Sequence, residues 1–578
     1  MKAQEKLTAL RAWMAERKID VVMVPRGDVF QGEEVPLSDD RLNYISGFTG
    51  SAGIALISAN HAALFSDGRY TIQMQQQIGE GWTSHTLPDE SIEGWLKENC
   101  PVGTLGIDGT LITLSGWRGL QSKLPQTISL KALHDNPIDA IWSDRPSAPT
   151  EPAWTYPDVY AGQTRTDKIK AVLAEMGDAD QLLISSPEAL CWLLNIRGNE
   201  LEFTPFYRAF AILGRDGSVT IFTDQTRLHA IDHTDLKIAP EGDLISYLAE
   251  LREVKIAIDP ANCPYALASL VEGKSVEMTN PIIGLKARKN ETEINGFRTA
   301  HCRDAVAMVR FLSWLEHTAG NGLRETEAGD KLQQFREKVT DFISPSFATI
   351  CGSGPNGAIV HYRAVEGEDA PLAQDTLCLI DSGGQYLDAT TDITRTVVIG
   401  TPSDSMRHDF TQVLKAHIAL DQAVFPKGTT GVQLDAITRA PLWAAGMDFA
   451  HGTGHGVGCC LGVHEGPANI SKRGTVPIEA GMVLSNEPGF YITGGYGIRI
   501  ENLIIAMPHP DHNDHLYFEH VTLVPMDRRL INVELLTSSE RAWVNAYHLE
   551  VREKIGTDIA ALNDEEVSAW FDQATQPL

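Results

Sequence analysis

The sequence predicts an α/β protein built from several domains. The chain has 578 residues, which is too long for one hydrophobic core, because a domain usually holds roughly 100 to 200 residues. Segments with helical spacing of apolar residues alternate with short apolar runs typical of strands. The N-terminal half also repeats one order of helices and strands. This repetition predicts two similar α/β domains in front of a third, larger α/β domain.

The first domain is predicted over residues 1–150. The sequence favours a helix over residues 5–17, a strand over Ile19–Val24 and a later strand ending at Asp67. The domain is expected to end in the polar segment SDRPSAPTEP, which contains three prolines. Such composition is typical of a linker.

The second domain, residues 151–285, is predicted to repeat the order of the first. A helix over residues 168–176 precedes strands at Gln181–Ser185 and Val219–Asp224. Between them, Cys191–Gly198 corresponds to Leu42–Phe48 of the first domain.

The third domain is predicted over residues 286–515 and the last part of the chain over residues 516–578. The third begins with a helix over Glu291–Leu315, where apolar residues recur at helical spacing among good helix formers. Strands and helices then alternate, with many glycines. The last 60 or so residues are expected to form a short helical extension.

Composition argues against several classes of function. The formal net charge is −28, from 76 acidic and 48 basic side chains. It disfavours nucleic acid and anionic membrane surfaces as partners. The first residues lack the pattern of a signal peptide, and apolar runs stay below the roughly 18 to 20 residues of a membrane span. Eight cysteines without CxxC spacing are expected to be reduced thiols. We therefore predict a cytoplasmic location.

Two acidic residues lie on one predicted hairpin of the third domain. The apolar strand LCLIDSGG ends at Asp381, and the returning strand TTDITR carries Asp392 on the same face as Thr390 and Thr394. An isolated Asp before Ser-Gly more often starts a turn. Asp381 alone therefore does not identify a site.

The same arrangement recurs with glutamates about a hundred residues later. The strand MVLSNEPG ends at Glu487, and the returning strand GIRIEN carries Arg499 and Glu501 on one face. Two acid hairpins in two halves of one domain predict four carboxylates converging across an internal axis. Buried carboxylates cost several kcal/mol each unless cations compensate them. The pattern therefore indicates a metal site.

Four histidines lie in the two halves that carry these hairpins. The segment HGTGHGVG is expected to be extended, because glycine at every even position disfavours a helix by about 1 kcal/mol each; it carries His451 and His455. His464 and His361 lie nearby in the sequence. A lone histidine is usually structural, but four in this region favour a functional site.

Carboxylates with one imidazole favour manganese, iron, cobalt or zinc over a site built from thiolates. A pair of ions suits four acids and can activate water for attack on a carbonyl. The chemistry that the residues indicate is therefore hydrolysis.

One competing motif is the G-x-G-x-x-G of residues 352–357. Residues Ala358–Tyr362, which follow it, are expected to form a strand, where a dinucleotide site needs the start of a helix. The motif is therefore interpreted as a turn.

The motifs LIDSGGQYLDATTDITRT, HGTGHGVG with VHEGP, SNEPGFY and GIRIEN together resemble the pita-bread metallopeptidases, which include aminopeptidase P, prolidase and methionine aminopeptidase. The resemblance is strongest to the long, three-domain aminopeptidase P group, and it spans most of the chain. It implies two creatinase-like N-terminal domains and a pita-bread catalytic domain with pseudo-two-fold symmetry.

Carried over by position, the metal ligands of that family fall on five residues: Asp381, Asp392, His455, Glu487 and Glu501. The resemblance implies that Asp392 and Glu501 bridge two divalent ions, with manganese expected and zinc or cobalt as alternatives. It assigns proton-shuttling and substrate-orienting roles to His361, His451 and His464, and a supporting role to Arg499. Cys459 and Cys460 depart from the usual small or apolar residues.

The resemblance implies an aminopeptidase that removes the first residue from peptides with proline in second place. Attack by a metal-bridged hydroxide, with Glu487 as the base, is the implied mechanism. The alternatives are a prolidase that cleaves Xaa-Pro dipeptides, a non-catalytic peptide-binding relative, and a metal-free creatinase-like hydrolase. The family also implies a homodimer.

Overall fold

The computed structural model describes residues 2–578, which form two compact units. The first unit comprises the chain up to Tyr156 together with Gln163–Ile283, and the second comprises Pro157–Gly162 together with Gly284–Leu578. The finer division into four domains stays a prediction.

The secondary structure alternates between helices and strands along the whole chain. The helices are α1 (Ala3–Arg17), α2 (Arg41–Ser46), α3 (Thr71–Gln77), α4 (Ile92–Asn99), α5 (Leu114–Lys123), α6 (Asp158–Ala161), α7 (Arg165–Glu175), α8 (Pro187–Leu194), α9 (Asp243–Glu250), α10 (Tyr265–Leu270), α11 (Pro281–Ala287), α12 (Glu291–Thr318), α13 (Glu325–Arg336), α14 (Asp404–Asp421), α15 (Gly431–Ala444), α16 (Ser538–Ala561) and α17 (Glu565–Ala574).

The strands are β1 (Val21–Pro25), β2 (Ile54–Ser58), β3 (Ala62–Ser66), β4 (Trp82–Thr86), β5 (Gly103–Asp108), β6 (Ile128–Leu133), β7 (Trp154–Thr155), β8 (Gln181–Ile184), β9 (Ile196–Arg197), β10 (Phe210–Gly214), β11 (Val219–Phe222), β12 (Leu236–Ala239), β13 (Ile256–Ile258), β14 (Ser275–Glu277), β15 (Phe342–Pro345), β16 (Ile350–Ser353), β17 (Thr376–Ser382), β18 (Gly384–Tyr386), β19 (Ala389–Thr390), β20 (Ile393–Ile399), β21 (Val424–Pro426), β22 (Gly454–Gly456), β23 (Glu465–Ile470), β24 (Val483–Asn486), β25 (Gly489–Tyr491), β26 (Gly497–Arg499), β27 (Asn502–Pro508) and β28 (His515–His520).

The first unit contains the same sheet twice. One six-stranded sheet has the order β4-β3-β2-β1-β5-β6 and the other the order β12-β11-β10-β8-β13-β14. In both, taken in the order given, the second and third of the five strand pairings are antiparallel and the other three are parallel. This common pattern confirms the predicted duplication of an α/β arrangement in the N-terminal half.

The second unit also repeats one order of elements. Helices α12 and α13 precede the antiparallel pair β17 and β20, whereas α14 and α15 precede the antiparallel pair β24 and β27. Isolated bridges join Arg324 to Pro371 and Thr430 to Pro477, each at the residue before α13 or α15. The equivalent positions of these bridges show the predicted two-fold repetition within this α/β unit.

Helix α12 starts where the sequence predicts it, because Asn290 caps its first turn. The Asn290 side chain accepts hydrogen bonds from the backbone of Thr292 and Glu293, and the Glu293 side chain accepts one from the Asn290 backbone. This reciprocal arrangement is a capping box, which satisfies backbone donors at the start of a helix. Buried residues Phe297, Met308 and Phe311 then anchor α12 in the core.

One local expectation was wrong. Residues Ala358–Tyr362 do not form a strand: a five-residue 3-10 helix, Gly354–Ala358, follows β16, and an irregular segment follows it. Gly354, the first residue of this helix, has a left-handed φ of 53°, and Pro355 follows it, so the backbone reverses instead of extending.

The helical extension packs into the core of the second unit. Trp543, Val544, Tyr547, Val551 and Ile555 of α16 are buried in the same cluster as α12, β17 and α14. None of the helices formed by residues 2–578 combines the length and the apolar character that crossing a membrane requires.

Candidate metal centre

The first acid hairpin delivers Asp381 and Asp392 to one buried place. Asp381 is the penultimate residue of β17 and pairs with Thr394 of β20, while Asp392 directly precedes β20. Both aspartates are buried. The prediction that the two strands return on one another is confirmed, although the strands β18 and β19 lie between them in sequence.

The second hairpin places Glu487 and Glu501 in the corresponding positions. Glu487 directly follows β24 and Glu501 directly precedes β27, and the last residue of β24 pairs with the first of β27. The Glu501 backbone N–H donates to the Thr394 carbonyl at 3.1 Å. This bond joins the two acid hairpins.

His455 lies on the middle residue of β22, beside the second hairpin. Strand β22 pairs with β24 at Gly456 and Leu484, and the His455 backbone N–H donates to Ser485 Oγ at 3.0 Å. A Cβ on Gly454 would lie 1.9 Å from the Ser485 carbonyl oxygen. The glycine spacing around His455 therefore lets two strands approach closely, which agrees with the predicted extended segment.

Three of the five predicted ligand residues converge directly. Ligand atoms of Asp392, His455 and Glu501 all lie within 4.8 Å of one another. His455 Nε2 is 3.5 Å from Asp392 Oδ2 and 3.5 Å from Glu487 Oε1. Asp381 lies close enough to Asp392 for the charge of Asp392 to raise the pKa of Asp381. The arrangement brings four carboxylates and one imidazole together.

The carboxylates raise one another's pKa in this setting. Burial, followed by the charges of Asp392, Asp381 and Glu487, raises the pKa of Glu501 far above its usual range. Burial and neighbouring carboxylates also raise the pKa of Glu487, although His455 and Arg499 oppose the shift. For His455, burial disfavours the charged ring, but Asp392 and Glu487 outweigh burial and raise its pKa to about 9.

The residues fit a site for divalent cations. Within residues 2–578, Asp381 Oδ1 and Asp392 Oδ1 are buried without any hydrogen-bond partner. A buried anionic oxygen is costly when nothing compensates it. Carboxylate oxygens and one imidazole are a donor set that Mn²⁺, Zn²⁺ and Co²⁺ accept, so cations would satisfy both the bare oxygens and the mutual repulsion.

Arg499 orders the polar groups on one side of the acids. Its Nη2 donates to Asp381 Oδ2 at 2.6 Å and its Nη1 donates to the Tyr491 hydroxyl oxygen at 2.7 Å. The Tyr491 hydroxyl lies 2.8 Å from His451 Nε2, and His451 Nδ1 lies 2.7 Å from the Gly452 carbonyl. Since the carbonyl can only accept, Nδ1 carries the proton, and in the neutral ring Nε2 then accepts from the Tyr491 hydroxyl.

The three histidines with predicted catalytic roles occupy different surroundings. His451 is buried, with Nδ1 at 3.9 Å from Glu487 Oε2. His464 is exposed and places its ring edge-on to His455, with 4.3 Å between ring centroids. His361 is half-buried, and the preceding carbonyl, that of Val360, accepts from Arg499 Nη2 at 3.4 Å.

Three residues that support the acids were not among the predicted site residues. Thr394 Oγ1 donates to Glu501 Oε2 at 2.7 Å, Ser485 Oγ donates to Glu487 Oε1 at 3.1 Å, and Tyr491 connects Arg499 to His451. The period-two pattern that places Thr394 on the face of Asp392 is a signal for the first. The sequence offers no comparable signal for the Tyr491 contacts, because they depend on the fold.

Arg395 ties both acid hairpins to the C-terminal helix. Its fully buried guanidinium donates to the Glu501 carbonyl at 2.7 Å, to the Val524 carbonyl at 2.7 Å and to the Tyr547 hydroxyl at 2.9 Å. The Tyr547 hydroxyl in turn donates to the Thr522 carbonyl at 2.9 Å. The backbone that presents Glu501 is thus held from α16.

Comparison with known families assigns most of the chain. The sequence model of Metallopeptidase family M24 matches residues 295–507, and that of the C-terminal region of this peptidase family matches residues 514–578. Models of the Creatinase/Prolidase N-terminal domain match residues 6–137 and 144–293.

Individual relatives match over the whole length. A protein named Probable Xaa-Pro aminopeptidase P from Aspergillus niger is 39% identical, covering 99% of this chain and 98% of the relative. The crystal structure of X-prolyl aminopeptidase from Caenorhabditis elegans, described as a cytosolic enzyme with a di-nuclear active site, is 30% identical, covers 100% of both chains and superimposes with a TM-score of 0.94. A prolidase from Pyrococcus horikoshii covers 62% of this chain with a TM-score of 0.50 and 23% identity, a likeness of fold alone.

Proposed function

This chain belongs to Metallopeptidase family M24, and on that premise we propose that it removes the N-terminal residue from peptides whose second residue is proline. The observation that carries the proposal is the convergence of Asp392, His455 and Glu501 in a chain similar over its full length to Xaa-Pro aminopeptidases. A hydrolase with an acid-rich metal centre accounts for both.

The proposed metal ligands are the five residues of the two acid hairpins and β22: Asp381, Asp392, His455, Glu487 and Glu501. Asp392 and Glu501, one from each hairpin, would, together with His455, hold the two ions, because ligand atoms of these three residues lie within 4.8 Å of one another. We propose manganese as the metal, with zinc or cobalt as alternatives. Such a pair of ions supplies Lewis acidity and lowers the pKa of a coordinated water, which amide hydrolysis needs.

The protein's own groups position the substrate and move protons. Glu487, whose pKa is raised by burial, is proposed to accept a proton at a carboxylate oxygen and to return it to the departing amine. His361 is proposed to donate to the oxygen of the scissile carbonyl, where negative charge develops. The protonation of His451, fixed by Tyr491 and the Gly452 carbonyl, suits it to orient the peptide. His464 borders the same centre.

Proline is a distinctive feature of the proposed substrate, because it has no backbone N–H and a fixed φ. A site that requires no hydrogen bond from the second residue can accept its ring. The family relatives named for Xaa-Pro cleavage support this selectivity.

The proposal is tested by hydrolysis of short peptides after reconstitution with Mn²⁺. We expect cleavage of Xaa-Pro-Yaa tripeptides after the first residue, with Xaa-Ala-Yaa cleaved far more slowly. Dipeptides of the Xaa-Pro type serve as the second comparison. Rapid cleavage of the dipeptides alone would favour the prolidase alternative, and failure on all three series after metal loading would refute a peptidase function.

A cytoplasmic location and a homodimer are also proposed. The cytosolic description of the Caenorhabditis elegans relative supports the location, and the family resemblance suggests the dimer. Sedimentation equilibrium of the purified chain measures the oligomeric state directly, and a monomer across micromolar concentrations would contradict the dimer.

A further inference from the structure

The Glu325 side chain is a buried acidic group outside the proposed metal ligands. It lies at the first residue of α13 and its side chain is fully buried. Oε1 accepts from the Ser353 backbone N–H at 2.7 Å, and Oε2 accepts from the Tyr362 hydroxyl at 2.7 Å and from the Ala370 backbone N–H at 2.9 Å. Asn356 Nδ2 donates to both oxygens at 3.0 Å.

These hydrogen bonds hold the two ends of a long loop at the Glu325 carboxylate. Ser353 starts the segment of residues 353–370 and Ala370 ends it, so both ends are bound to one carboxylate. A buried carboxylate costs several kcal/mol unless hydrogen bonds satisfy it. Glu325 therefore favours the closed loop over any arrangement in which these donors point elsewhere.

A neighbouring carboxylate holds the same end of the loop. Asp369 accepts from Arg324 Nε at 2.8 Å and from the Thr326 hydroxyl and backbone at 2.7 and 3.1 Å. Burial opposes its charge, but these hydrogen bonds outweigh burial and lower the pKa of Asp369 to about 2. The residues at the start of α13 therefore bind the C-terminal end of the loop through several hydrogen bonds.

The loop carries His361 between two anchors. On one side, Tyr362 is bound to Glu325 through its hydroxyl. On the other, the Val360 carbonyl accepts from Arg499 Nη2, the nitrogen that also donates to Asp381. Close packing supports this second anchor, since a Cβ on Gly497 would lie 1.7 Å from the Gly357 carbonyl oxygen.

We propose that Glu325 and Tyr362 form a positioning pair that holds His361 beside the metal centre. The inference rests on the proposed function, which gives His361 its role at the scissile carbonyl. The hydrogen bonds of Glu325 and Tyr362 go to residues other than the five proposed ligands. Both act through the loop.

The test compares Tyr362→Phe with His361→Ala and with the double variant, all loaded with Mn²⁺. Tyr362→Phe removes one hydroxyl and keeps the ring, so we expect kcat for an Xaa-Pro-Yaa peptide to fall about tenfold with KM nearly unchanged, because a small misplacement of a catalytic group is costly. In the His361→Ala background the same change should have little further effect, since groups acting as one unit are not additive. Tyr517→Phe, a half-buried tyrosine on β28, is the matched control.

A second measurement separates this inference from the proposed function. Amide hydrogen exchange over residues 354–369 should be faster in Tyr362→Phe and in Glu325→Gln than in the wild type, whether or not the enzyme cleaves peptides. Unchanged exchange, or losses in kcat that multiply in the double variant, would overturn the positioning role. An inactive wild type with faster loop exchange in both variants would instead refute the function and retain the anchoring of the loop.

Discussion

Glu501 shows how one side chain connects stability to metal binding. Its carboxylate is buried, receives a hydrogen bond from Thr394 and is repelled by Asp392. In the absence of cations this repulsion lowers the stability of the folded chain. With cations bound, the attraction between Glu501 and the ions would exceed the repulsion, and the carboxylate would stabilise the fold. Substitutions of single proposed ligands are therefore expected to have opposite effects on stability in the metal-free and the metal-loaded protein.

We expect Glu501→Gln to lose metal and activity together. Removing one proposed bridging carboxylate should lower peptide cleavage by at least about a hundredfold, as expected for a group the reaction depends on, and reduce bound manganese measured by elemental analysis. In chelator, the variant should melt at or above the wild-type temperature, because one buried like charge is gone.

Glu479→Gln, at a half-exposed glutamate, provides the control and should leave metal content unchanged. A Glu501→Gln protein that still holds two equivalents of manganese and cleaves peptides at the wild-type rate would exclude Glu501 as a ligand.

His520, which is not one of the proposed metal ligands, should make the stability of the protein depend on pH. It lies between Asp421 and Glu550, with contacts of 3.1 and 3.2 Å. Burial disfavours the charged ring, but Asp421 and Glu550 outweigh burial and raise its pKa from 6.5 to about 10. The stabilisation by charged His520 is therefore fully present below pH 6.5 and is lost as pH rises through about 10.

His520→Gln should lower the free energy of unfolding by a few kcal/mol near pH 6, and the difference from wild type should shrink toward pH 10. Urea unfolding at several pH values measures this difference. The exposed His134→Gln should show no such trend, and a His520→Gln deficit that stayed constant from pH 6 to 10 would contradict the shift.

Among the structural elements, most helices and strands could be predicted from the sequence, whereas the conformation of the loops around the site could not. The strands leading to Asp381 and Glu487 and the start of α12 at Glu291 agree with the predicted elements. The predicted returning strand GIRIEN is instead divided between β26, which pairs with β25, and β27, which pairs with β24. The segment after Gly354 was wrongly expected to be a strand, because its conformation depends on Glu325, 28 or more residues earlier in the chain. Local pattern carries no information about such a partner.

The residues of the candidate site also fall into a group that could be predicted from the sequence and a group that could not. The four acids and His455 could be predicted as ligands, because their motifs repeat and resemble a family. Tyr491 and Glu325 could not be assigned, since their roles arise from hydrogen bonds to residues distant in sequence.

Gly454→Ala tests the close approach of β22 and β24. The new Cβ would overlap the Ser485 carbonyl oxygen, so the strands must separate and His455 must move away from Glu487. We expect a loss of about 2 kcal/mol in stability, typical of overpacking, together with weaker metal binding. Thermal melting and metal titration measure the two effects.

Gly556→Ala is the matched control, because Gly556 lies in α16 with only Phe571 near its Cβ position, at 3.9 Å. It should be neutral or stabilising by up to about 1 kcal/mol, from helix propensity. Equal losses in both variants would show that the strand contact is not specific.

At the scale of the whole molecule, each of the two units contains an internal duplication. In the second unit, helix α16 is added to the duplicated elements. Both sheets of the first unit share one strand order, and both halves of the second share one order of helices and hairpins. Helix α16 has no such counterpart, yet it shares the core of α12 and α14 and reaches Arg395 through Tyr547.

Tyr547→Phe should therefore affect the metal centre from a distance. Loss of the hydroxyl leaves Arg395 and the Thr522 carbonyl each without one partner, which costs about 1–3 kcal/mol. We expect weaker manganese binding as well, because Arg395 holds the backbone of Glu501. Isothermal titration calorimetry measures the affinity.

Tyr207→Phe removes a buried hydroxyl that bonds Thr223 in the first unit, and it should cost similar stability without changing manganese affinity. If both variants weakened metal binding equally, the effect of Tyr547 would be a general consequence of lower stability.

The position of α16 late in the chain also fixes the order in which the support of the Glu501 backbone can be completed during synthesis. A ribosome synthesises all five proposed ligands before it reaches Tyr547, so a nascent chain displays the acid hairpins while their clamp on Arg395 is still missing. The anchored Glu501 backbone forms only after α16 has emerged and docked.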